Sequence, residues 1–124
     1  MRLPRILLFA SAGVLALGGL MHTRAFPKAS SAVASSALPE FYGGSLKALW
    51  LIDSATLIVL AAVFFAAGAR PALASGAVIV LLAMIPAATA VLLYLFIGAF
   101  LPAHMLLAAA LMAAAAGFLT GRPT

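Results

Sequence analysis

Residues 71–121 are fifty-one consecutive positions without an Asp, Glu, Lys or Arg: PALASGAVIVLLAMIPAATAVLLYLFIGAFLPAHMLLAAALMAAAAGFLTG. Soluble domains carry charged residues at about a quarter of their positions, so this stretch does not belong to one. One crossing of a hydrocarbon layer about 30 Å thick uses roughly 20 residues. The stretch is therefore long enough for two membrane helices.

The composition of the whole chain agrees with this reading. Of 124 residues, 67% are hydrophobic and 7% are charged. Two further apolar runs precede the uncharged stretch, and this length has room for one domain. We therefore predict an all-α polytopic membrane protein, a bundle of four transmembrane helices that forms a single membrane domain over residues 1–124.

Prolines, glycines and charged residues divide the chain into segments. The predicted second helix ends at Arg70-Pro71, because proline disfavours helical geometry in the residue before it. Pro27, Pro39 and Gly43-Gly44 favour a polar loop between the first two helices. The predicted elements are a first helix over about 5–21, the polar loop over 22–44, and helices over about 45–69, 72–97 and 102–120.

The first apolar run also has features of a signal peptide. Arg2 and Arg5 precede the run, and Ala16-Leu17-Gly18 places two small residues at a spacing typical of cleavage sites. The run is slightly long for a signal peptide and passes directly into a polar segment. We expect it to be retained as the first membrane helix.

The net charge of +5 comes from scattered basic residues near segment ends, where they can meet lipid phosphates. Basic residues are not clustered with interleaved aromatic residues, so no nucleic-acid partner is expected. The absence of Cys excludes disulfides, thiol catalysis and Fe–S clusters.

Four crossings place both termini on one side of the membrane. That side would carry Arg2, Arg5, Arg70 and Arg122, and the other side Arg24, Lys28 and Lys47. The positive-inside rule then favours cytoplasmic N- and C-termini for a multi-pass protein of the cell inner (plasma) membrane.

Small residues predict how the last two helices pack. Apolar side chains gain little by leaving lipid for one another, so membrane helices associate through close contacts of small residues. Two such stripes predict a tight antiparallel hairpin of the third and fourth helices: Ala83, Ala87, Ala90 and Ala110, Ala114, Gly117. A homodimer interface or a gating surface is the alternative use of these faces.

The residues able to carry chemistry fall in one half of the membrane. Asp53 is the acidic residue inside a predicted membrane segment, where a charge costs a few kcal/mol unless it is paired, protonated or close to water. The alternation of the helices places a candidate polar cluster on the same side: Asp53, His104, His22, Glu40, Tyr94 and Trp50.

Four interpretations of this cluster are open. Asp53 with His104 would suit a proton- or cation-binding site, His22 with His104 a haem iron, and the carboxylates with the histidines a divalent metal. The preferred interpretation is an interhelical hydrogen bond of Asp53 that specifies packing, with no metal and no cofactor. No motif frames Ser54 or His104 for nucleophilic catalysis, so an enzyme is not expected.

One local pattern carries a resemblance. Leu38-Pro39 is followed by Lys47-x-x-Trp50-x-x-Asp53-Ser54 at the start of the second helix. In size and layout the chain resembles small four-helix bacterial membrane proteins, the DoxX-like proteins. The resemblance implies a bacterial inner membrane and transfers no catalytic residue. Small multidrug exporters share the helix count, but their essential acid lies in the first helix, which has none here.

These observations lead to one preferred function and one alternative. The preferred function is a non-enzymatic structural or accessory subunit of a membrane assembly, in contact with the lipid bilayer and with itself or a larger membrane protein. The alternative is a small proton- or cation-coupled transporter that uses Asp53.

Overall fold

The computed structural model describes residues 2–120, and it is built from four helices. They are α1 (Leu3–Ala34), α2 (Glu40–Ala69), α3 (Gly76–Phe96) and α4 (Leu101–Thr120), with a short 3₁₀ turn at Pro71–Leu73. Each of the four is long and apolar enough to cross a membrane. The predicted fold class, an all-α polytopic bundle of four transmembrane helices, is confirmed.

Local signals explain several helix ends. The Ser75 hydroxyl accepts a hydrogen bond from the Val78 N–H at 3.3 Å and caps the start of α3. Gly98 has φ +101°, a left-handed conformation that glycine adopts without strain, and it lies in the turn into α4. The predicted end of α2 at Ala69 is observed, directly before Arg70-Pro71.

The prediction of a polar loop over residues 22–44 is largely wrong. α1 continues through Pro27 to Ala34, and α2 already begins at Glu40, which leaves residues 35–39 as the connection. The extra turns pack on each other: a Cβ at Gly43 would lie 3.4 Å from Val33 Cγ1. The predicted start of the third helix at 72 moves to Gly76, because Pro71–Leu73 forms the 3₁₀ turn.

The four helices form a longer pair and a shorter pair. α1 and α2 contain 32 and 30 residues, α3 and α4 21 and 20. At a rise of 1.5 Å per residue, α3 and α4 are about 30 Å long, one hydrocarbon thickness, whereas α1 and α2 exceed 44 Å.

The longer pair extends past the shorter pair at one end. Ser11 of α1 lies against Ala109 of antiparallel α4, so the start of α4 at Leu101, eight residues away, is level with Gly19. About 20 Å of the α1–α2 hairpin therefore continues beyond α3 and α4. We call this projection, residues 23–49, the arm.

The packing order is α2, α1, α4, α3. α1 lies along both α2 and α4, α3 lies along α4, and α2 and α3 have little contact. One core runs through all four helices, and Leu15, Phe64 and Ala90 are completely buried in it. Large apolar side chains such as Phe65, Leu81 and Leu111 are left on the outer surface, where a lipid solvent suits them.

The predicted α3–α4 hairpin is present, and its contact is close. A Cβ at Gly117 would lie 2.7 Å from the Gly76 carbonyl oxygen, so the two backbones nearly touch. Ala83, Ala90 and Ala110 are buried, while Ala87 and Ala114 are half-buried. A second row on α4, which the sequence pattern did not indicate, has no exposed surface at all: Ala109, Ala113 and Ala116.

Candidate functional site

The main polar site joins α1 to α2 at the base of the arm. His22 Nδ1 lies 2.8 Å from the Ser54 hydroxyl oxygen, and the Trp50 indole N–H donates to the His22 carbonyl oxygen at 2.9 Å. The His22 and Trp50 rings stack with centroids 4.1 Å apart and planes 7° from parallel. We call His22, Trp50, Asp53 and Ser54 the clasp.

The Ser54 hydroxyl has two hydrogen-bond partners within the clasp. Its oxygen lies 3.1 Å from the Trp50 carbonyl oxygen, which can only accept, and 2.8 Å from His22 Nδ1. A hydroxyl has one proton, so it donates either to the carbonyl oxygen, with the Nδ1–H of the imidazole donating to it, or to an unprotonated Nδ1. The tautomer of His22 decides between these two arrangements.

Helix geometry and one glycine assemble the clasp. Trp50, Asp53 and Ser54 lie within one turn of α2, at spacings of three and four residues that share a face. Directly below, a Cβ at Gly19 would lie 2.8 Å from Ile58 Cγ1 and 3.2 Å from the Ser54 carbonyl oxygen. Gly19 therefore lets α1 approach α2 closely enough for His22 to reach Ser54.

Asp53 is the charged member of the clasp. Its Oδ2 lies 3.7 Å from His22 Nδ1, and 35% of its side chain is exposed, compared with 28% for His22. The pair becomes an ion pair when the imidazole is protonated. Asp53 is level with the ends of α3 and α4, so it lies at the border of the hydrocarbon layer and not deep inside it.

A second polar pair joins α3 to α4 at the same end of the bundle. The Tyr94 hydroxyl lies 2.6 Å from His104 Nδ1, with ring centroids 5.5 Å apart. His104 is exposed and Tyr94 is half-buried. Each hairpin thus has a histidine whose Nδ1 is hydrogen-bonded to a hydroxyl group of its partner helix.

The structure divides the predicted cluster. It joins Asp53, His22 and Trp50, and it gives His104 the partner Tyr94 in place of Asp53. Glu40 is thirteen residues before Asp53 on α2, about 20 Å along the helix. The division follows from the packing, because α1 pairs with α2 and α3 with α4. In residues 2–120, no group of three His, Cys, Asp and Glu side chains is placed to hold a metal ion.

Two further polar contacts between helices were not predicted from the sequence. The Ser11 hydroxyl, fully buried, donates to the Ala109 carbonyl oxygen of α4 at 2.8 Å. Arg5 Nε donates to the Gly68 carbonyl oxygen at 2.8 Å, where a cation suits the negative end of the α2 dipole. A lone serine inside the first apolar run was the signal for Ser11, whereas nothing in the sequence pairs Arg5 with Gly68.

Several polar side chains of residues 2–120 therefore join helices: Arg5, Ser11, His22, Trp50, Ser54, Tyr94 and His104. Every buried side-chain nitrogen or oxygen among them has a hydrogen-bond partner. The fold and these contacts define a multi-pass membrane protein whose helices are held by small residues and interhelical hydrogen bonds. No protein-family model matches the chain, and comparisons with curated proteins and with solved structures found no match either. The DoxX-like resemblance stays a prediction.

Proposed function

We propose that this protein is a non-enzymatic structural or accessory subunit of an inner-membrane assembly. The observation that carries the proposal is that the clasp, the Tyr94–His104 pair and the Ser11–Ala109 bond each join two helices of the bundle. Interhelical hydrogen bonds of this kind stabilise the association of membrane helices.

The state of Ser54 argues against nucleophilic catalysis. A serine nucleophile must be reachable by substrate and must give its proton to a base. Ser54 is 3% exposed, so a substrate does not reach its hydroxyl in this packing.

The arm supports a role in an assembly. It carries exposed apolar side chains past the ends of α3 and α4, with Phe41 at 77% and Tyr42 at 59% exposed. Exposed apolar groups outside the hydrocarbon layer commonly mark a contact surface. The partner is a larger membrane protein or a second copy of this chain.

Native mass spectrometry of the protein, gently extracted from its own membrane, tests this proposal. We expect a mass larger than one chain plus lipid, with a second subunit present. A variant with Phe41→Ser and Tyr42→Ser should lose that subunit, and Phe65→Ser, also exposed but on the transmembrane part of α2, is the matched control. A mass of one chain alone, under conditions that keep known complexes intact, contradicts the proposal.

Asp53 favours a second candidate function, a small proton- or cation-coupled transporter. Its carboxylate is partly exposed and lies within ion-pair distance of a titratable imidazole. Proton or cation flux into liposomes should then be lost in Asp53→Asn and kept in Glu40→Gln, the matched removal of an acid outside the clasp. Equal flux in Asp53→Asn and the unaltered protein excludes this candidate.

We propose that the N- and C-termini are cytoplasmic, because the positive-inside rule favours the side that carries more of the basic residues near the membrane ends. Arg2, Arg5 and Arg70 lie at the end of the bundle opposite the arm. Arg122, which the prediction also counted, lies outside the described residues. In this orientation the arm points away from the cytoplasm.

A further inference from the structure

Three basic residues lie directly beyond the clasp. Arg24 and Lys28 follow His22 on α1 by two and six residues, and Lys47 precedes Asp53 on α2 by six. At 1.5 Å per residue they are about 3, 9 and 9 Å farther from the bundle than the clasp. We call these three residues the collar.

The depth of the collar coincides with that of lipid headgroups. The hydrocarbon layer is about 30 Å thick and the whole bilayer about 40–45 Å, so headgroups occupy roughly 5–8 Å on each side. α3 and α4 match the hydrocarbon thickness and end level with the base of the arm. Arg24 therefore lies within the headgroup layer, and the long side chains of Lys28 and Lys47 can reach back into it.

Two of the three collar residues are exposed, Lys47 is half-buried, and their charge is not neutralised within the bundle. Arg24 and Lys28 are exposed and, four residues apart, share the face of α1 that points away from α2. Within residues 2–120 the His22–Asp53 contact is the one salt bridge, so no acidic side chain there pairs with the collar. Glu40 is seven residues from Lys47, about 10 Å along α2.

We infer that the collar is a binding surface for anionic phospholipid headgroups in the leaflet at the arm side. Phosphates of lipids such as phosphatidylglycerol lie at the depth of these cations, whereas an acidic protein would have to penetrate the headgroup layer to reach Arg24. Each basic residue near an anionic surface strengthens binding about fivefold, so three give up to about 100-fold. The bound lipids hold the arm at a defined height, whether or not the protein joins a larger assembly.

Trp50 is the sole tryptophan of the chain and lies in the clasp next to the collar, so its fluorescence reports the lipid bound there. The experiment reconstitutes the full chain in phosphatidylcholine vesicles containing brominated phosphatidylglycerol or brominated phosphatidylcholine. Quenching of Trp50 then gives the relative binding constants of the two headgroups. We expect a strong preference for phosphatidylglycerol at low salt, which weakens at 0.5 M salt because exposed charges are screened.

The variant pair Arg24→Gln with Lys28→Gln should lower the preference about 30-fold. Arg2→Gln with Arg70→Gln removes the same charge at the opposite end and should leave it unchanged. Circular dichroism in detergent checks that both double variants stay helical. Equal quenching by the two lipids in the unaltered protein overturns the inference and leaves the collar to an acidic protein partner. An equal loss in both double variants also overturns it, since the preference would then reflect net charge alone.

Discussion

Ser11 of α1 donates a hydrogen bond to the carbonyl oxygen of Ala109 on α4, 98 residues later, and both residues are completely buried. This contact links the α1–α2 hairpin to the α3–α4 hairpin, because α2 and α3 barely touch. The two halves of the bundle therefore depend on the α1–α4 interface, where small side chains let a hydroxyl reach the opposing backbone.

Ser11→Ala should destabilise the bundle modestly. Interhelical hydrogen bonds in membrane proteins contribute about 0.6 kcal/mol on average and up to about 1.7 kcal/mol, and we expect a loss of unfolding free energy in this range. The measurement is a denaturant titration in detergent. Ser35→Ala is the control, since its exposed hydroxyl bonds only within α1. An equal effect of both substitutions would show that the Ser11 bond contributes nothing.

Gly117→Ala should be much more harmful than Gly13→Ala. A Cβ at Gly117 meets the Gly76 carbonyl oxygen and Val80 Cγ2 at 2.7 Å, whereas nothing lies within 4 Å of a Cβ at Gly13. Backbone cannot yield as a flexible side chain does, so we expect a cost of about 1–3 kcal/mol at Gly117. Gly13→Ala should be neutral or slightly stabilising, because alanine favours helix. The same denaturant titration compares them, and similar costs at both sites would contradict the α3–α4 contact.

His22→Ala should expose Trp50. The imidazole covers one face of the indole, and its loss opens that face to water-soluble quenchers. We expect stronger iodide quenching and a red-shifted emission of Trp50. His104→Ala, on the other hairpin, should leave both unchanged. If His104→Ala changed the emission as much as His22→Ala, the polar residues would form one cluster and not two separate pairs.

Single-cysteine variants test the membrane topology without background labelling, because the chain has no cysteine of its own. Ser36 and Ala99 lie in the two connections at the arm end, and Ala72 lies in the connection at the opposite end. With cytoplasmic termini, a membrane-impermeant maleimide added to spheroplasts should label Ser36→Cys and Ala99→Cys but not Ala72→Cys. The reverse pattern would keep the fold and invert the orientation. Labelling of Ser36→Cys and Ala99→Cys from different sides would contradict the fold.

The helix boundaries show where local signals are sufficient. Arg70-Pro71 ended α2 as predicted, because proline acts on its own neighbour in the chain. Pro27 and Gly43 predicted a loop, yet both lie inside helices. In the arm, Gly43 packs against Val33, because a Cβ at Gly43 would lie 3.4 Å from Val33 Cγ1. This contact is with a residue ten positions away, which the local sequence does not reveal.

The candidate site was likewise predictable from the sequence only in part. Topology alone placed His22, Trp50, Asp53, Tyr94 and His104 at one end of the bundle, since antiparallel helices alternate direction. The partner of each histidine was not predictable, because it depends on which helices lie side by side. Gly19 brings α1 against α2, and His22 therefore meets Ser54 and Asp53, while His104 meets Tyr94.

The sequence by itself determined four apolar helices that can cross a membrane. A segment in lipid must satisfy its backbone hydrogen bonds internally, as a helix does, and about 20 of its consecutive residues must be mostly apolar, so its local composition identifies it. The tertiary structure alone decided the packing order, the arm and the pairing of the polar groups. These arise from contacts such as Ser11 with Ala109 and Gly117 with Gly76, in which small residues bring distant backbones together. Small residues are common throughout this chain, so the choice among the possible pairs is made only when all four helices pack at once.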